Sequence, residues 1–265
     1  MNNNLELLET AKIAAKNGGQ IILEYFNKEI KFEEKPDKTF VSFVDRKAEE
    51  AIKKIILDKF PKHSINGEET SETKGTEYIW HVDPLDGTIN FKNKIPYSCV
   101  SIGIENKGRF VIGVIYNPFT NELFSALEGK GSYLNDKKIN VNSQNLSEGT
   151  LILDSSFKDE RGIKKIRFQE EFLENCSKFR MIGSNALQLT EIAKGNCVSS
   201  ISDAIHSYDF IAGTVIVKEA GGVVSDQYGK EPSSNSKVII ASNNKDNHDK
   251  IIRITSILYK NYRGI

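Results

Sequence analysis

The sequence predicts an α+β protein in which an antiparallel half precedes a half of alternating strands and helices. Three observations support this prediction: two amphipathic helices open the chain, short strands separated by Asn, Gly and Pro follow from residue 77, and strands and helices alternate after residue 150. We therefore divide the chain into two parts, residues 1–145 and residues 146–265.

The first part begins with two helices. Apolar residues at helical spacing predict a helix over 5–26 and a second over 43–59, which Pro61 prevents from continuing. Asp45 would lie in the first turn of the second helix. Short strands are predicted at 64–66, 78–82, 98–104, 109–116 and 122–127, and the last three suggest an antiparallel meander.

The second part follows a turn-rich stretch at 129–149. Alternating patterns predict strands at 150–154, 179–182, 197–202, 222–226 and 237–241, and helices at 162–175, 185–194, 209–220 and 246–262. No repeat of fixed period and no low-complexity segment is visible in the sequence.

Charge and composition argue against several classes of protein. The 265 residues include 36 Lys and Arg and 36 Asp and Glu, so the formal net charge is zero. A nucleic-acid binder normally carries a basic excess, and a peripheral membrane protein carries a basic amphipathic face, so we expect neither partner. The first residues lack the basic and apolar regions of a signal peptide, and no apolar run approaches about 18 residues. We therefore expect a cytoplasmic protein.

The cysteine pattern argues against both disulfides and structural zinc. Cys99, Cys176 and Cys197 are odd in number and have no C-x-x-C spacing. We interpret them as reduced and buried.

The most informative stretch is residues 80–91, WHVDPLDGTINF. An apolar strand leads directly into Asp83 and Asp86, which a rigid proline turn presents at the strand end, where binding sites commonly form. Gly87 allows the backbone to approach a ligand, and its N–H group and that of Thr88 suit an anion. The alternative interpretation is an ordinary surface turn and helix cap, because these residue types all favour turns.

Two further acidic signals weaken that alternative. Glu68 follows the strand at 64–66 within a Gly-Glu-Glu string, and Asp209 opens the helix at 209–220. Carboxylates that converge without compensation repel one another and raise each other's pKa, so a cluster of them implies bound cations. Ligands that are all oxygen, with a backbone carbonyl such as that of Leu85 available, favour Mg²⁺ over zinc.

These motifs, in this order, resemble those of the inositol monophosphatase family of Mg²⁺-dependent, lithium-sensitive phosphatases. The strings are Gly67-Glu68-Glu69, Asp83-Pro84-Leu85-Asp86-Gly87-Thr88-Ile89-Asn90-Phe91, Tyr208-Asp209 and Glu219-Ala220-Gly221-Gly222. The resemblance covers nearly the whole chain and implies the layered αβαβα sandwich of the inositol monophosphatase and fructose-1,6-bisphosphatase type, usually as a homodimer. It also implies a phosphoric monoester hydrolase whose partner is a small phosphorylated metabolite.

The resemblance further implies two or three Mg²⁺ ions. Glu68, Asp83 and the carbonyl of Leu85 would hold one ion. Asp83, Asp86 and Asp209 would hold the second, and a third, weaker ion would also depend on Glu68.

The implied catalytic residues are Glu68, Thr88 and Asp45. The Thr88 hydroxyl, supported by Asp45, would position and help to deprotonate the attacking water, while the N–H groups of Gly87 and Thr88 bind phosphate oxygens. The chemistry is sound independently of the family, because metal ions about 3.5–4 Å apart activate water and stabilise the leaving oxygen.

Substrate choice is expected to depend on the second part. The implied substrate-binding residues are Asp86, Gly87, Thr88, Gly183, Ser184, Asn185, Ser202, Asp203 and Asp209. The chain departs from the family at three positions: Ser202, with Asp203 beside it, replaces a glutamate, Asn185 replaces an alanine, and Tyr208 replaces a tryptophan. These departures leave the hydrolytic groups in place, so inositol phosphate is not assigned as the natural substrate.

Our first hypothesis is a Mg²⁺-dependent phosphomonoesterase that acts on a small polyol or sugar phosphate. The alternatives in the same class are a 3′(2′),5′-bisphosphate nucleotidase and a fructose-1,6-bisphosphatase. Nucleotidases tend to carry Lys-Glu-Phe where this chain has Ile89-Asn90-Phe91. A distant alternative is a non-catalytic metal-binding regulator, although every implied ligand position is filled.

Nearby polar residues also have structural interpretations. Asp45 is alternatively a helix-start acid with no catalytic role. We interpret Glu69 as an acid on the surface or just outside the metal ligands, and not as a ligand itself. We interpret His81 as a packed histidine and His206 as a residue that orients the loop before Asp209.

Overall fold

The computed structural model describes residues 2–35, 40–70, 75, 78–154, 172, 175–203 and 205–260. Its helices are α1 (Asn2–Tyr25), α2 (Phe43–Lys59), α3 (Thr88–Lys92), α4 (Asn185–Ala193), α5 (Ser207–Glu219) and α6 (Lys245–Lys260). Its strands are β1 (Phe32–Glu34), β2 (Phe40–Ser42), β3 (Ser64–Gly67), β4 (Tyr78–Asp86), β5 (Cys99–Asn106), β6 (Arg109–Asn117), β7 (Glu122–Leu127), β8 (Ser132–Leu134), β9 (Lys137–Ile139), β10 (Thr150–Asp154), β11 (Lys178–Arg180), β12 (Ser199–Asp203), β13 (Val223–Ser225) and β14 (Val238–Ser242).

Two sheets form the framework. The seven-stranded sheet has the order β3-β4-β5-β6-β7-β8-β9, with β3 parallel to β4 and every other neighbouring pair antiparallel. The five-stranded sheet has the order β11-β10-β12-β14-β13, in which β11, β10 and β12 are parallel and β14 is antiparallel to both of its neighbours. Strands β1 and β2 form a separate antiparallel pair.

Three apolar clusters join these sheets to the helices in five layers. Helices α1 and α2 pack against one face of the seven-stranded sheet around Trp80. Helices α4 and α5 fill the space between that sheet and the five-stranded sheet, around Phe124 and Phe210. Helix α6 covers the outer face of the five-stranded sheet, where Ile240 and Ile251 meet. This order confirms the predicted layered αβαβα sandwich.

Helix α5 lies in the middle layer and is buried along most of its length. A side chain at Gly113 of β6 would overlap the backbone carbonyl of Ala212, so glycine at this position allows the helix to lie directly against the sheet. Because α5 also contacts β4 and β5, its first turn, which carries Asp209, is fixed relative to the end of β4.

Most predicted elements agree with the structure to within a few residues. The second helix has the predicted bounds, whereas the strand predicted at 78–82 continues to Asp86. The turn-rich stretch at 129–149 contains β8 and β9, and β1, β2 and α3 were not predicted, because segments of three to five residues carry little periodicity. The helix predicted at 162–175 lies almost entirely outside the described residues. The division at residue 145 stays a prediction.

Two further sequence expectations concern membranes and cysteines. Within the described ranges, no helix combines the length and the apolar character needed to cross a bilayer. The three cysteines are free thiols and buried, as we interpreted them.

Candidate metal centre and active site

Asp83 and Asp86 are brought to one side of the sheet by an irregularity near the end of β4. Asp83 is opposite Ser101 of β5 and Asp86 is opposite Cys99, so β4 contains one more residue than its partner over this interval. Residues three apart in a regular strand point to opposite faces, and the extra residue compensates for that alternation. The turn is stabilised locally, because the Leu85 N–H donates to Asp83 Oδ1 at 2.9 Å.

Asp209 reaches the same place from the first turn of α5. Its Oδ2 accepts a hydrogen bond from the His206 N–H at 2.6 Å, which closes the start of the helix. Asp83, Asp86 and Asp209 each place a carboxylate oxygen within 4.8 Å of the others. The structure therefore brings together three of the four carboxylates that the sequence predicts as metal ligands.

Burial makes this cluster electrostatically unfavourable in the absence of a cation. Burial raises the pKa of Asp83 well above its ordinary value, and the charges of Glu68, Asp86 and Asp209 raise it further. Burial also raises the pKa of Asp86, although hydrogen bonds from Ser184, Ala186 and Asn185 oppose that shift. Carboxylate oxygens held this way are the donors that Mg²⁺ prefers, so the donor set fits a hard divalent cation.

Glu68, the fourth predicted carboxylate ligand, lies at the edge of this cluster. Its Oε1 accepts a hydrogen bond from Lys35 Nζ at 2.9 Å, and the same ammonium donates to Glu69 Oε1 at 2.6 Å. Burial raises the pKa of Glu69 to about 7, against the opposing effect of the hydrogen bond from Lys35. Lys35 has no motif that distinguishes it from the other basic residues in the sequence, so only the structure shows its place beside Glu68.

Asp45 lies in the first turn of α2, where its Oδ2 accepts hydrogen bonds from the N–H and the hydroxyl of Ser42. Its Oδ1 is buried and has no hydrogen-bond partner among the described residues. Burial raises the pKa of Asp45 to about 6, despite the hydrogen bonds from Ser42, and the nearby charge of Glu68 acts in the same direction. The Thr88 hydroxyl donates to the Leu85 carbonyl at 3.0 Å, so its pairing with Asp45 stays a prediction.

Gly87 provides the turn from β4 into α3. It has a φ of 92°, in the left-handed region that favours glycine, and it caps the short helix that Thr88 begins. The first N–H groups of a helix have no partner within it, and those of α3 follow directly after the strand end that carries Asp83 and Asp86.

The N-terminus of α4 forms the opposite side of the site. Ser184 Oγ donates to Asp86 Oδ2, the Ala186 N–H donates to the same oxygen at 2.8 Å, and the Asn185 N–H donates to Asp86 Oδ1 at 3.2 Å. The preceding loop is fixed by Asn90, whose Nδ2 donates to the Ile182 carbonyl at 2.8 Å and lies 3.3 Å from the Gly183 carbonyl.

A second row of uncharged groups lies behind Asn185. The fully buried Gln188 donates from Nε2 to Asn185 Oδ1 at 3.2 Å and to Ser202 Oγ. Ser202 is buried, whereas Asp203, at the end of β12, is half-buried. Gln188 carries no motif that distinguishes it in the sequence, and only the packed structure shows its place behind Asn185. The structure thus connects Asn185 and Ser202, two of the positions at which the chain departs from the family pattern.

The histidines near the site have structural contacts. His81 Nδ1 lies 2.8 Å from Ser207 Oγ, and its Nε2 lies 3.3 Å from Glu105 Oε2. The His206 ring stacks on Tyr208, with the ring centroids 5.2 Å apart. These contacts agree with the interpretation of His81 as a packed residue and of His206 as part of the loop before Asp209.

Comparison with known proteins gives a consistent result. Residues 3–258 match the inositol monophosphatase family. The chain is 37% identical to the fructose-1,6-bisphosphatase/inositol-1-monophosphatase of Aquifex aeolicus strain VF5, over 96% of this chain and 97% of the relative. It is 34% identical to Nus factor SuhB of Escherichia coli strain K12, over 89% of this chain and 91% of that relative. Its fold is similar to the crystal structure of the extragenic suppressor protein suhB from Bartonella henselae, with a TM-score of 0.90, 30% identity, and coverage of 98% of this chain and 100% of that one.

Proposed function

Because the chain belongs to the inositol monophosphatase family, we propose that it is a Mg²⁺-dependent phosphomonoesterase that acts on a small polyol or sugar phosphate. The observation that carries this proposal is the group of three buried carboxylates, Asp83, Asp86 and Asp209, with oxygens within 4.8 Å of one another. Such a group is unfavourable unless a cation compensates it, and the family is one of phosphatases.

Five residues would hold two or three Mg²⁺ ions in this proposal. They are Glu68, Asp83, Asp86, Asp209 and, through its carbonyl, Leu85. When bound, Mg²⁺ supplies positive charge that polarises the phosphoryl group, promotes ionisation of the attacking water and stabilises the leaving oxygen.

Asp45 is the proposed general base. Its buried Oδ1, unpartnered among the described residues, can accept a proton from the attacking water, and a pKa of about 6 suits a base near neutral pH. The Thr88 hydroxyl, supported by Asp45, would position that water and help to deprotonate it. The N–H groups of Gly87 and Thr88 would bind the phosphate oxygens as negative charge develops on them.

The α4 side of the site supports the proposed substrate class. Gly183 and Asn185 are accessible and offer backbone and amide groups, which suit sugar or polyol hydroxyls without adding charge. Ser184 and Ser202 are buried behind them, bonded to Asp86 and Gln188, and would contact a substrate only if they rearranged when it binds. The proposed substrate-binding residues include three acids. Asp86 and Asp209 are also proposed metal ligands, whereas Asp203, at the end of β12, is not.

Phosphate release from a panel of substrates tests the proposal. We expect Mg²⁺-dependent release from at least one of inositol 1-phosphate, fructose 1,6-bisphosphate, histidinol phosphate and 3′-phosphoadenosine 5′-phosphate, and loss of that release in Asp83→Asn. Absence of release from every member would contradict the proposal, as would full activity of Asp83→Asn. Addition of Li⁺ tests the expected lithium sensitivity, and the molar mass in solution tests the expected homodimer.

Two alternatives are favoured by specific observations. The name of the Aquifex aeolicus relative combines both activities, so fructose 1,6-bisphosphate is the second candidate substrate. The name of the Escherichia coli relative is Nus factor SuhB, so a regulatory role is the second candidate function. Because of that relative, the expected absence of a nucleic-acid partner stays a prediction.

A further inference from the structure

A buried glutamate that is absent from the proposed site lies directly behind it. Glu49 follows Asp45 by one turn of α2, so the two carboxylates lie on the same face of the helix. Its side chain is completely inaccessible to solvent. Taking a carboxylate out of water is costly, so its hydrogen bonds must compensate that cost.

The hydrogen bonds to Glu49 come from the loop that carries Glu68. The Glu69 N–H donates to Glu49 Oε2 at 2.8 Å, and the Thr70 N–H donates to Oε1 at 3.0 Å. The Thr70 hydroxyl donates to the same Oε1, and it accepts a hydrogen bond from Lys53 Nζ at 2.6 Å. Three donors from the two residues after Glu68 therefore converge on one carboxylate.

Gly67 shows how closely Glu49 approaches this loop. A side-chain carbon at Gly67 would overlap the Glu49 carboxyl group, with its Cδ only 2.6 Å away. A larger residue at position 67 would have to displace the Glu49 carboxyl group from its hydrogen bonds, so glycine here leaves room for the buried glutamate.

The loop is held from its other side by the strand that carries Asp83. The Glu68 N–H donates to the Val82 carbonyl at 3.2 Å. Glu68 is therefore fixed between β4 and the Glu49 carboxylate, so the position of its Cα relative to Asp83 depends on both contacts. Small displacements of a metal ligand have large effects, because coordination requires defined geometry.

We propose that Glu49 is a positioning residue for divalent-metal binding, which holds Glu68 at the distance from Asp83 that a shared Mg²⁺ requires. This inference rests on one part of the proposed function, namely that Glu68 is a metal ligand. Glu49 does not itself touch metal or substrate.

The test is calorimetric titration of the metal-free full-length protein with Mg²⁺ alone. Glu49→Gln keeps the shape of the side chain but replaces one acceptor oxygen with an NH₂ group, which faces a backbone N–H. We expect the dissociation constant for the tighter Mg²⁺ to rise about tenfold, and kcat at saturating Mg²⁺ to stay within about threefold of the wild-type value. Glu50→Gln, an exposed neighbour on the same helix, is the matched control and should change neither quantity.

Thr70→Val provides a milder variant in case Glu49→Gln does not fold. It removes the hydroxyl hydrogen bond and keeps the backbone one, so we expect a shift of about threefold in the same direction. An unchanged Mg²⁺ dissociation constant in a folded variant would overturn the inference, even if its melting temperature fell. If the wild-type protein binds Mg²⁺ but releases no phosphate, the proposed function fails while the titration still tests Glu49.

Discussion

The two sides of the site differ in charge. The end of the seven-stranded sheet contributes ionisable groups, chiefly Asp83 and Asp86, whose burial raises their pKa values. The region of α4 and β12 contributes mainly uncharged groups, with Gln188 linking Asn185 and Ser202. Because the two sets come from different elements, we infer that metal binding and hydrolysis depend on the first side and substrate choice on the second.

The largest effect is expected for Asp83→Asn, on the charged side of the site. We expect kcat to fall by a factor on the order of 10³, about 4 kcal/mol in activation free energy, because the carboxylate common to both proposed ions is lost. We also expect the metal-free protein to become more stable. The pKa of Asp83 is raised on folding, so its ionised form destabilises the folded state above the ordinary pKa, and asparagine removes that cost.

Phosphate release with Mg²⁺ and thermal unfolding in EDTA measure the two effects. The control is Asp58→Asn, an exposed carboxylate in the last turn of α2. A fall in activity together with a lower melting temperature in EDTA would mean that Asp83 supports the fold and would contradict the assignment of its charge to metal binding.

The next largest effect is expected for Asp45. Asp45→Asn retains an oxygen that accepts from Ser42 but cannot take up a proton, so we expect kcat to fall about 10²-fold. Burial raises the pKa of Asp45 to about 6, so the wild-type rate should decrease as the pH falls through that value. Bound Mg²⁺ favours the ionised carboxyl and would move this decrease to a lower pH. A pH profile of kcat at saturating Mg²⁺ measures this. If the decrease in kcat at low pH is unchanged in Asp45→Asn, another group causes that decrease.

Substitutions on the uncharged side should act differently. Asn185→Ala and Ser202→Glu should change the ratio of kcat/KM between two substrates about tenfold while the rate on the better substrate changes less than about threefold, because the metal ligands are untouched. Inositol 1-phosphate and fructose 1,6-bisphosphate are suitable substrates for measuring the ratio. The control is Asn106→Ala. Asn106 ends β5, whereas Cys99, at the start of that strand, lies opposite Asp86. Equal losses on both substrates would show that the two sides do not act separately.

More of the charged side than of the uncharged side could be predicted from the sequence. Asp83 and Asp86 occur within one short string, so local turn chemistry already indicates that both lie at a strand end. Asp209 lies far along the chain, and only the family resemblance placed it with them. The fold class followed from periodicity, whereas the five-layer order also came from that resemblance.

The remaining residues could not be predicted, because their roles depend on contacts between distant segments. Lys35, Glu49 and Gln188 are polar residues whose partners lie 14 to 34 positions away in the sequence. A glutamine and a glutamate on helices of mixed polarity have no local signature of burial. Only the packed arrangement shows that they support Glu68 and Asn185.

The smallest effect on activity is expected at His248, which lies in α6 on the outer layer. Its Nε2 lies 2.8 Å from Ser225 Oγ and its Nδ1 lies 3.2 Å from Ser242 Oγ, so it connects the helix to β13 and β14. Burial lowers its pKa from 6.5 to about 4. Between these values the unfolded chain binds a proton at His248 that the folded chain does not, so the contribution of His248 to the free energy of unfolding should decrease as the pH falls.

We expect this contribution to fall by about 2 kcal/mol between pH 7 and pH 5, measured as the difference between the wild type and His248→Gln in urea denaturation. The difference is needed because the raised pKa values of Asp45 and Glu69 act in the opposite direction over the same pH range. The variant His248→Gln should lose this part of the pH dependence while its kcat at pH 7 stays close to the wild-type value. If the variant instead alters relative activity between substrates, the five-stranded sheet transmits changes from its outer face to Ser202. The uncharged side of the site would then depend on the whole five-stranded sheet rather than on Asn185, Gln188 and Ser202 alone.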